Sequence, residues 1–168
     1  MEIFKTAMTN MNKRILIKKG ENWAENDPML PTMGTVWKRE YEFTESCLYK
    51  NTGTEGYGIN KLWGVSGWPY HKRNSVRICW MSSEEGQYIK MYATAYINGH
   101  REIRYLCSVQ PGQKVWCLIS NQGNNASVWI NSFSTTFKVR IPFITYTLPA
   151  YFGGIPPAPQ DMVIIRSK

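Results

Sequence analysis

No long window of this sequence keeps a helical period, which removes helix bundles and helical readers of nucleic-acid grooves as starting points. No apolar run is long enough to span a bilayer as a helix, so no membrane partner is expected. The N-terminal residues, MEIFKTAMTNMNKRILIKKG, contain no apolar core region and no small-residue cleavage site, and a secretory signal is not expected either. The four cysteines, Cys47, Cys79, Cys107 and Cys117, have no CxxC spacing. Neither a metal site nor a disulfide framework is expected from them, and reduced, buried thiols in a protein made in the cytoplasm are the default reading. Acidic residues are the minority charge, twelve Asp and Glu against twenty Lys and Arg, for a formal net charge of +8. Yet the sequence forms no basic stripe, since its longest basic runs are Lys18-Lys19 and His71-Lys72-Arg73. A nucleic-acid partner is therefore disfavoured, and most of the lysines read as a solvated surface.

What the chain does have is aromatic residues and turn formers: seven Trp, ten Tyr and six Phe, with thirteen Gly and nine Pro, in 168 residues. That composition divides the chain into short segments and predicts an all-β, two-sheet fold of about eleven strands in one domain. Residues 1–13 read as a short polar N-terminal arm and residues 14–168 as the single sandwich domain. Strands are expected over 14–19, 34–43, 59–65, 74–81, 87–97, 101–109, 114–120, 126–132 and 162–166. Residues 20–31 read as loop, 47–49 as a short apolar piece, and 137–147 as strand broken at Pro142. Asn98-Gly99 supplies the two positive φ angles of a type I′ turn. Turns at 110–113 and 121–124 extend that hairpin into an expected four-strand antiparallel meander, 87–97 to 126–132. The Gly153-Gly154 turn and the prolines after it should bring 162–166 beside 14–19.

The most regular alternation is 87–97. Ile89, Met91, Ala93, Ala95 and Ile97 share one face, for the core; Tyr88, Lys90, Tyr92, Thr94 and Tyr96 share the other. Tyrosines repeating about every 6.5–7 Å along a strand suit stacking on sugar rings. They equally suit a cross-strand aromatic ladder, or a face covered by a neighbouring subunit. The loop before 74 carries Trp68, Tyr70, His71, Lys72 and Arg73, aromatics interleaved with cations that suit an acidic sugar or a phosphate, or else a plain surface loop. Candidate catalytic sets are weak. Glu40 and Glu42 share a strand face and Glu45 follows, but the spacing does not give the paired carboxylates of a glycosidase. Glu84-Glu85 falls in a turn, and His100-Arg101 follows the Asn98-Gly99 hairpin end.

Two blocks carry a resemblance. Asn60-Lys61-Leu62-Trp63-Gly64 through Asn74-Ser75-Val76-Arg77, and Tyr151-Phe152-Gly153-Gly154 through Ala158-Pro159-Gln160-Asp161-Met162, resemble a concanavalin A-like jelly-roll group found in gut Bacteroidetes and their tailed phages. That group is related in shape to polysaccharide lyases, β-glucanases and legume lectins. The resemblance implies two stacked antiparallel sheets, one concave, with glycans as the usual ligand of the concave face. It would put Tyr88, Lys90, Tyr92 and Tyr96 on that face, with Trp68, Tyr70, His71 and Arg73 beside it. Alginate-lyase-like folds use an Arg, His and Tyr constellation; His71, His100, Arg101 and several tyrosines are present here, yet the characteristic blocks are missing. The expectation is thus a non-catalytic, lectin-like sandwich needing no cofactor or metal. It would serve as a structural or decoration component of a phage virion assembled in the host cytoplasm. Other virion proteins or further copies of the chain would be its partners, and surface polysaccharide a candidate ligand. The alternative is a polysaccharide-active enzyme, lyase or glycoside hydrolase, or a detached carbohydrate-binding module.

Overall fold

A computed structural model describes residues 12–67 and 71–167. Twelve strands run in chain order: β1 (Lys13–Ile17), β2 (Leu30–Met33), β3 (Val36–Phe43), β4 (Asn60–Ser66), β5 (Asn74–Ser82), β6 (Ile89–Ile97), β7 (His100–Val109), β8 (Lys114–Gln122), β9 (Asn125–Ile130), β10 (Phe133–Phe137), β11 (Ile144–Leu148) and β12 (Met162–Arg166). They make two six-stranded antiparallel sheets, ordered β1-β12-β3-β8-β9-β10 and β2-β11-β4-β5-β6-β7. The fold is the expected all-β jelly-roll sandwich.

Period-two burial builds it. In β6, Ile89, Met91, Ala93 and Ala95 are buried while Tyr92 and Tyr96 lie on the opposite face, and Ile97 packs at the core's margin. In β3 the inward set is Trp37, Tyr41 and Phe43. Arg39 shares that parity, and its guanidinium lies 4.7 Å over the ring of Trp63 from the other sheet, a cation–π contact inside the sandwich. The largest buried rings are Trp63, Trp80, Tyr41, Phe43, Phe137 and Phe152. All four cysteines are buried free thiols.

β1 pairs with β12 from Lys13↔Arg166 to Ile17↔Met162, as the route through Gly153-Gly154 predicts. The Asn98-Gly99 turn has φ 50° and 88°, the positive pair of a type I′ hairpin. The four-strand meander is corrected. β6 and β7 pair in the second sheet, whereas β8 pairs with β3 and β9 in the first. The turn at 110–113 therefore carries the chain from one sheet to the other, with the Gly112 N–H donating to the Phe43 carbonyl at 2.8 Å. Alternation assigns faces within a strand but is blind to which sheet the strand joins. The run 20–31 is corrected too: its end enters β2, an edge strand that tolerates Pro31 because its outer side needs no donor. Residues 47–49 follow a 3-10 turn, Glu45–Cys47. The 137–147 stretch supplies the end of β10 and most of β11, which lie in different sheets.

Candidate functional site

The outer face of the second sheet is laid out in cross-strand rows by its register. One row reads Gly64↔Arg77↔Thr94↔Ile103 from β4 to β7. Its neighbour reads Lys61↔Cys79↔Tyr92↔Tyr105, and a third Ser66↔Ser75↔Tyr96↔Arg101. The second row continues past β4, because Lys61 bridges Tyr151 and Tyr151 bridges Trp23. A β-bulge between Lys61 and Trp63 turns both Leu62 and Trp63 into the core and keeps Lys61 and Gly64 on the outer face.

These rows floor a cleft of about 520 Å³, within the range of small-ligand sites. Its lining holds Lys61, His71, Lys72, Arg77 and Arg101, and on one side Trp23, Met29, Leu148, Pro149 and Tyr151. None of the lining residues is acidic. Among the described residues, Lys61, Lys72, Arg77 and Arg101 make no ion pair, while cations elsewhere, such as Lys90 with Glu84 and Arg104 with Glu102, do.

Glycine makes room for this cluster. A Cβ at Gly64 would stand 2.5 Å from Arg77 Cγ and would collide with the Val76 carbonyl, so the Arg77 stem lies across a strand position that only glycine leaves free. A Cβ at Gly153 would press on the Ile59 carbonyl and come within 2.9 Å of Lys61 Nζ. Lys61 Nζ sits 5.3 Å over the Tyr151 ring, and Tyr151 meets Trp23 edge-on at 4.7 Å. Asn60, fully buried, fastens this wall from below: its side-chain carbonyl accepts from the Gly153 N–H and its amide donates to the Tyr49 hydroxyl, both at 2.8 Å.

Burial shifts the titratable groups of the cleft. It lowers the Arg77 pKa, and it lowers that of Lys61, with the neighbouring Arg77 and Arg101 charges adding to the effect. His71 is held below the ordinary histidine value of 6.5, mainly by burial and further by Arg77 and Lys72, so its imidazole is neutral at pH 7. Cys79, whose thiol shares a hydrogen bond with Thr94 Oγ1 at 3.4 Å, is pushed up by burial and stays a thiol. The described end of the preceding loop is tied down, with the His71 carbonyl accepting from Ser75 Oγ at 2.6 Å and the Arg73 carbonyl from the Gly99 N–H at 3.0 Å.

The residues singled out in the sequence divide. Tyr96 and His71 line the cleft. Tyr92 is on the same sheet face but packs edge-on against Tyr105 at 5.7 Å, outside the cavity. Tyr88 lies just before β6, and Lys90 is engaged by Glu84. Arg73 is exposed beside the cleft without lining it. Trp68 and Tyr70 lie outside the described residues. Sequence reasoning missed Arg77, Lys61, Trp23 and Tyr151 as site residues and weighed Arg101 only as a weak catalytic candidate. For Arg77 a signal existed, a lone cation between Val76 and Ile78 in an otherwise apolar strand. For Trp23 there was none, because tertiary contacts, the isolated bridge to Tyr151 among them, bring it to the sheet.

No family model and no curated protein matches the chain. Solved structures do. An alginate lyase from Alteromonas sp. 272 superposes over 92% of this chain and 85% of its own, with a TM-score of 0.62 at 8% identity. The polysaccharide lyase family 18 protein aly-SJ02 covers 96% and 87%, with a TM-score of 0.62 at 7% identity. The PL7 alginate lyase AlyA1 from Zobellia galactanivorans covers 83% of this chain at 14% identity and a TM-score of 0.56, the chain spanning 63% of that protein's length. The shared feature at these identities is the fold, a concanavalin A-like jelly roll. The expectation of a non-catalytic chain is corrected by this finding, since lyases adopt the sandwich over nearly all of this chain. The physical reason lies in the chemistry sought. A carboxylate pair is what glycoside hydrolysis of the usual kind requires, whereas elimination next to a sugar carboxylate needs a cation and a neutral base instead.

Proposed function

We propose that the chain binds an acidic polysaccharide across the outer face of the second sheet, with a sugar carboxylate held by Arg77 and Lys61. The observation that carries this reading is the cluster of cations on the cleft that make no ion pair among the described residues. A partly buried guanidinium without an anion is costly, and a bound carboxylate supplies the missing partner. Arginine's planar fork matches a carboxylate with two parallel hydrogen bonds, and Lys61 and Arg101 add charge beside it. Tyr96 offers a ring edge and a hydroxyl on the rim. Titrating the purified protein with a polyuronate and with a neutral glucan tests the reading. Binding confined to the polyuronate, weakened by salt and by Arg77→Ala, is the expected result; equal binding of both polymers would sink it.

A specific observation favours a second reading, β-elimination on the same bound polymer. His71, neutral at pH 7, stands on the cleft that holds the cations and Tyr96. Cations against the carboxylate acidify the proton on the adjacent ring carbon. The imidazole takes that proton, the C–O bond to the next sugar breaks, and the Tyr96 phenol gives its proton to the departing oxygen. The product carries a carbon–carbon double bond conjugated with the carboxylate, so ultraviolet absorbance during incubation with polyuronate reads it directly. A place in a phage particle, which the sequence resemblance also implies, concerns where this binding surface is displayed, and co-purification with virions tests it.

A further inference from the structure

The cleft is bipartite. Its cations come from β4, β5, β7 and the His71-Lys72 turn, whereas Trp23, Met29, Leu148, Pro149 and Tyr151 form an apolar wall on the other side of Lys61. Along the continued cross-strand row, Trp23 stands two strands from Lys61 and three from Arg77's strand, about 14 Å at the usual strand spacing. Trp23 is 63% exposed yet rigidly placed. Its neighbour Asn22 exchanges backbone and side-chain hydrogen bonds with Phe152, at 2.7 and 2.9 Å, and Trp23 itself bridges Tyr151. An exposed indole fixed at the lip of a cleft is a stacking surface for the carbon–hydrogen face of a sugar ring.

Among the described residues the wall offers no cation beyond Lys61, whose amine already lies over Tyr151 at the seam between the two halves. A uronate placed against it would find only the apolar Met29, Leu148 and Pro149 beside its carboxylate, whereas a neutral ring has a carbon–hydrogen face to offer them. Resting on the acidic-polysaccharide reading above, we infer that the ligand is a heteropolysaccharide alternating acidic and neutral sugars. Its uronate sits over Arg77 and Lys61, and a neutral ring, N-acetylated or otherwise partly apolar, sits against Trp23 and Tyr151.

The test compares affinities of the purified chain for alternating polymers (hyaluronan, chondroitin, heparosan) and for homopolyuronates (polygalacturonate, alginate), at matched carboxylate concentration. At least one alternating polymer should bind about tenfold tighter than either homopolyuronate. Trp23→Ala should remove most of that advantage, weakening the alternating polymer more than either homopolyuronate; Trp23→Tyr should keep most of it, and Arg77→Ala should weaken all of them. Thermal unfolding of each variant checks that it is folded. Homopolyuronates binding as tightly as every alternating polymer, or Trp23→Ala weakening both classes equally, would overturn the inference and leave the acidic-polysaccharide reading in place. Binding of neither class would overturn both.

Discussion

Arg77 concentrates the chemistry of the molecule in one side chain. It stands in a row between Gly64, which yields it space, and Thr94, with its charge unpaired among the described residues. Arg77→Ala should weaken polyuronate binding by about 2–3 kcal/mol, the worth of hydrogen bonds to a charged group. The same change should leave the unfolding midpoint unchanged or raised, because it removes a desolvated cation; calorimetry of binding and unfolding on one sample checks both. Arg77→Lys should recover only part of the affinity, since it restores charge without the fork. Tyr92→Ala should leave binding nearly untouched, as its ring is spent on Tyr105. His71 gives a pH signature. Its pKa is depressed in the free protein and a bound carboxylate raises it, so binding takes up protons and tightens as pH falls through the raised, bound-state pKa. Turnover by elimination needs the neutral imidazole and should fall over the same window. Opposite pH slopes for affinity and turnover are the expected outcome, with the affinity slope flattened and turnover lost in His71→Ala.

At the scale of elements, the site depends on how the segment carrying Tyr151 lies along β4. The two exchange hydrogen bonds at Lys61 and Tyr151, 2.8 and 3.0 Å, and Asn60 clamps Gly153 from inside. Asn60→Ala strands a buried N–H and a buried tyrosine hydroxyl, and it should cost about 2–3 kcal/mol of stability by chemical denaturation. Gly64→Ala should cost a similar amount through overpacking, and it should also displace Arg77 and abolish polyuronate binding in whatever fraction folds. The bulge at Lys61–Trp63 matters for the same reason: without its extra residue the period of two would turn Lys61 or Trp63 to the wrong face.

At the scale of the whole molecule, Asp27 joins the two sheets. Its buried carboxylate accepts from the Ala150 N–H at 2.8 Å, just after β11, and pairs with Lys13 of β1 and Arg166 of β12 at 3.4 and 3.6 Å. Removing it would leave two half-exposed cations and a buried N–H without their anion. Asp27→Ala should therefore destabilise the sandwich by about 2–4 kcal/mol, somewhat less than a fully buried pair, and thermal unfolding reads the loss. Ligand affinity should fall little in the folded fraction, because Asp27 lies outside the cleft.

The amino-acid sequence by itself determined the all-β class, the faces of β6, and the Asn98-Gly99 hairpin. It also determined the pairing of the first and last strands, and a concanavalin A-like sandwich through the blocks at 60–77 and 151–162. Apart from the concanavalin A-like sandwich, which the resemblance of those blocks implies, these follow from local rules: period-two burial, positive φ at turns, and the extended path that proline imposes. Tertiary structure alone decided that β7 and β8 part into different sheets, that Tyr92 turns to Tyr105 while Tyr96 faces the cleft, and that Trp23, Tyr151, Lys61, Arg77 and Arg101 meet on one surface. Those residues lie on five separate segments, and what brings them together is the lateral register of strands distant in sequence. Alternation along one strand carries no information about that register, because a strand's own pattern is the same whichever neighbour it joins.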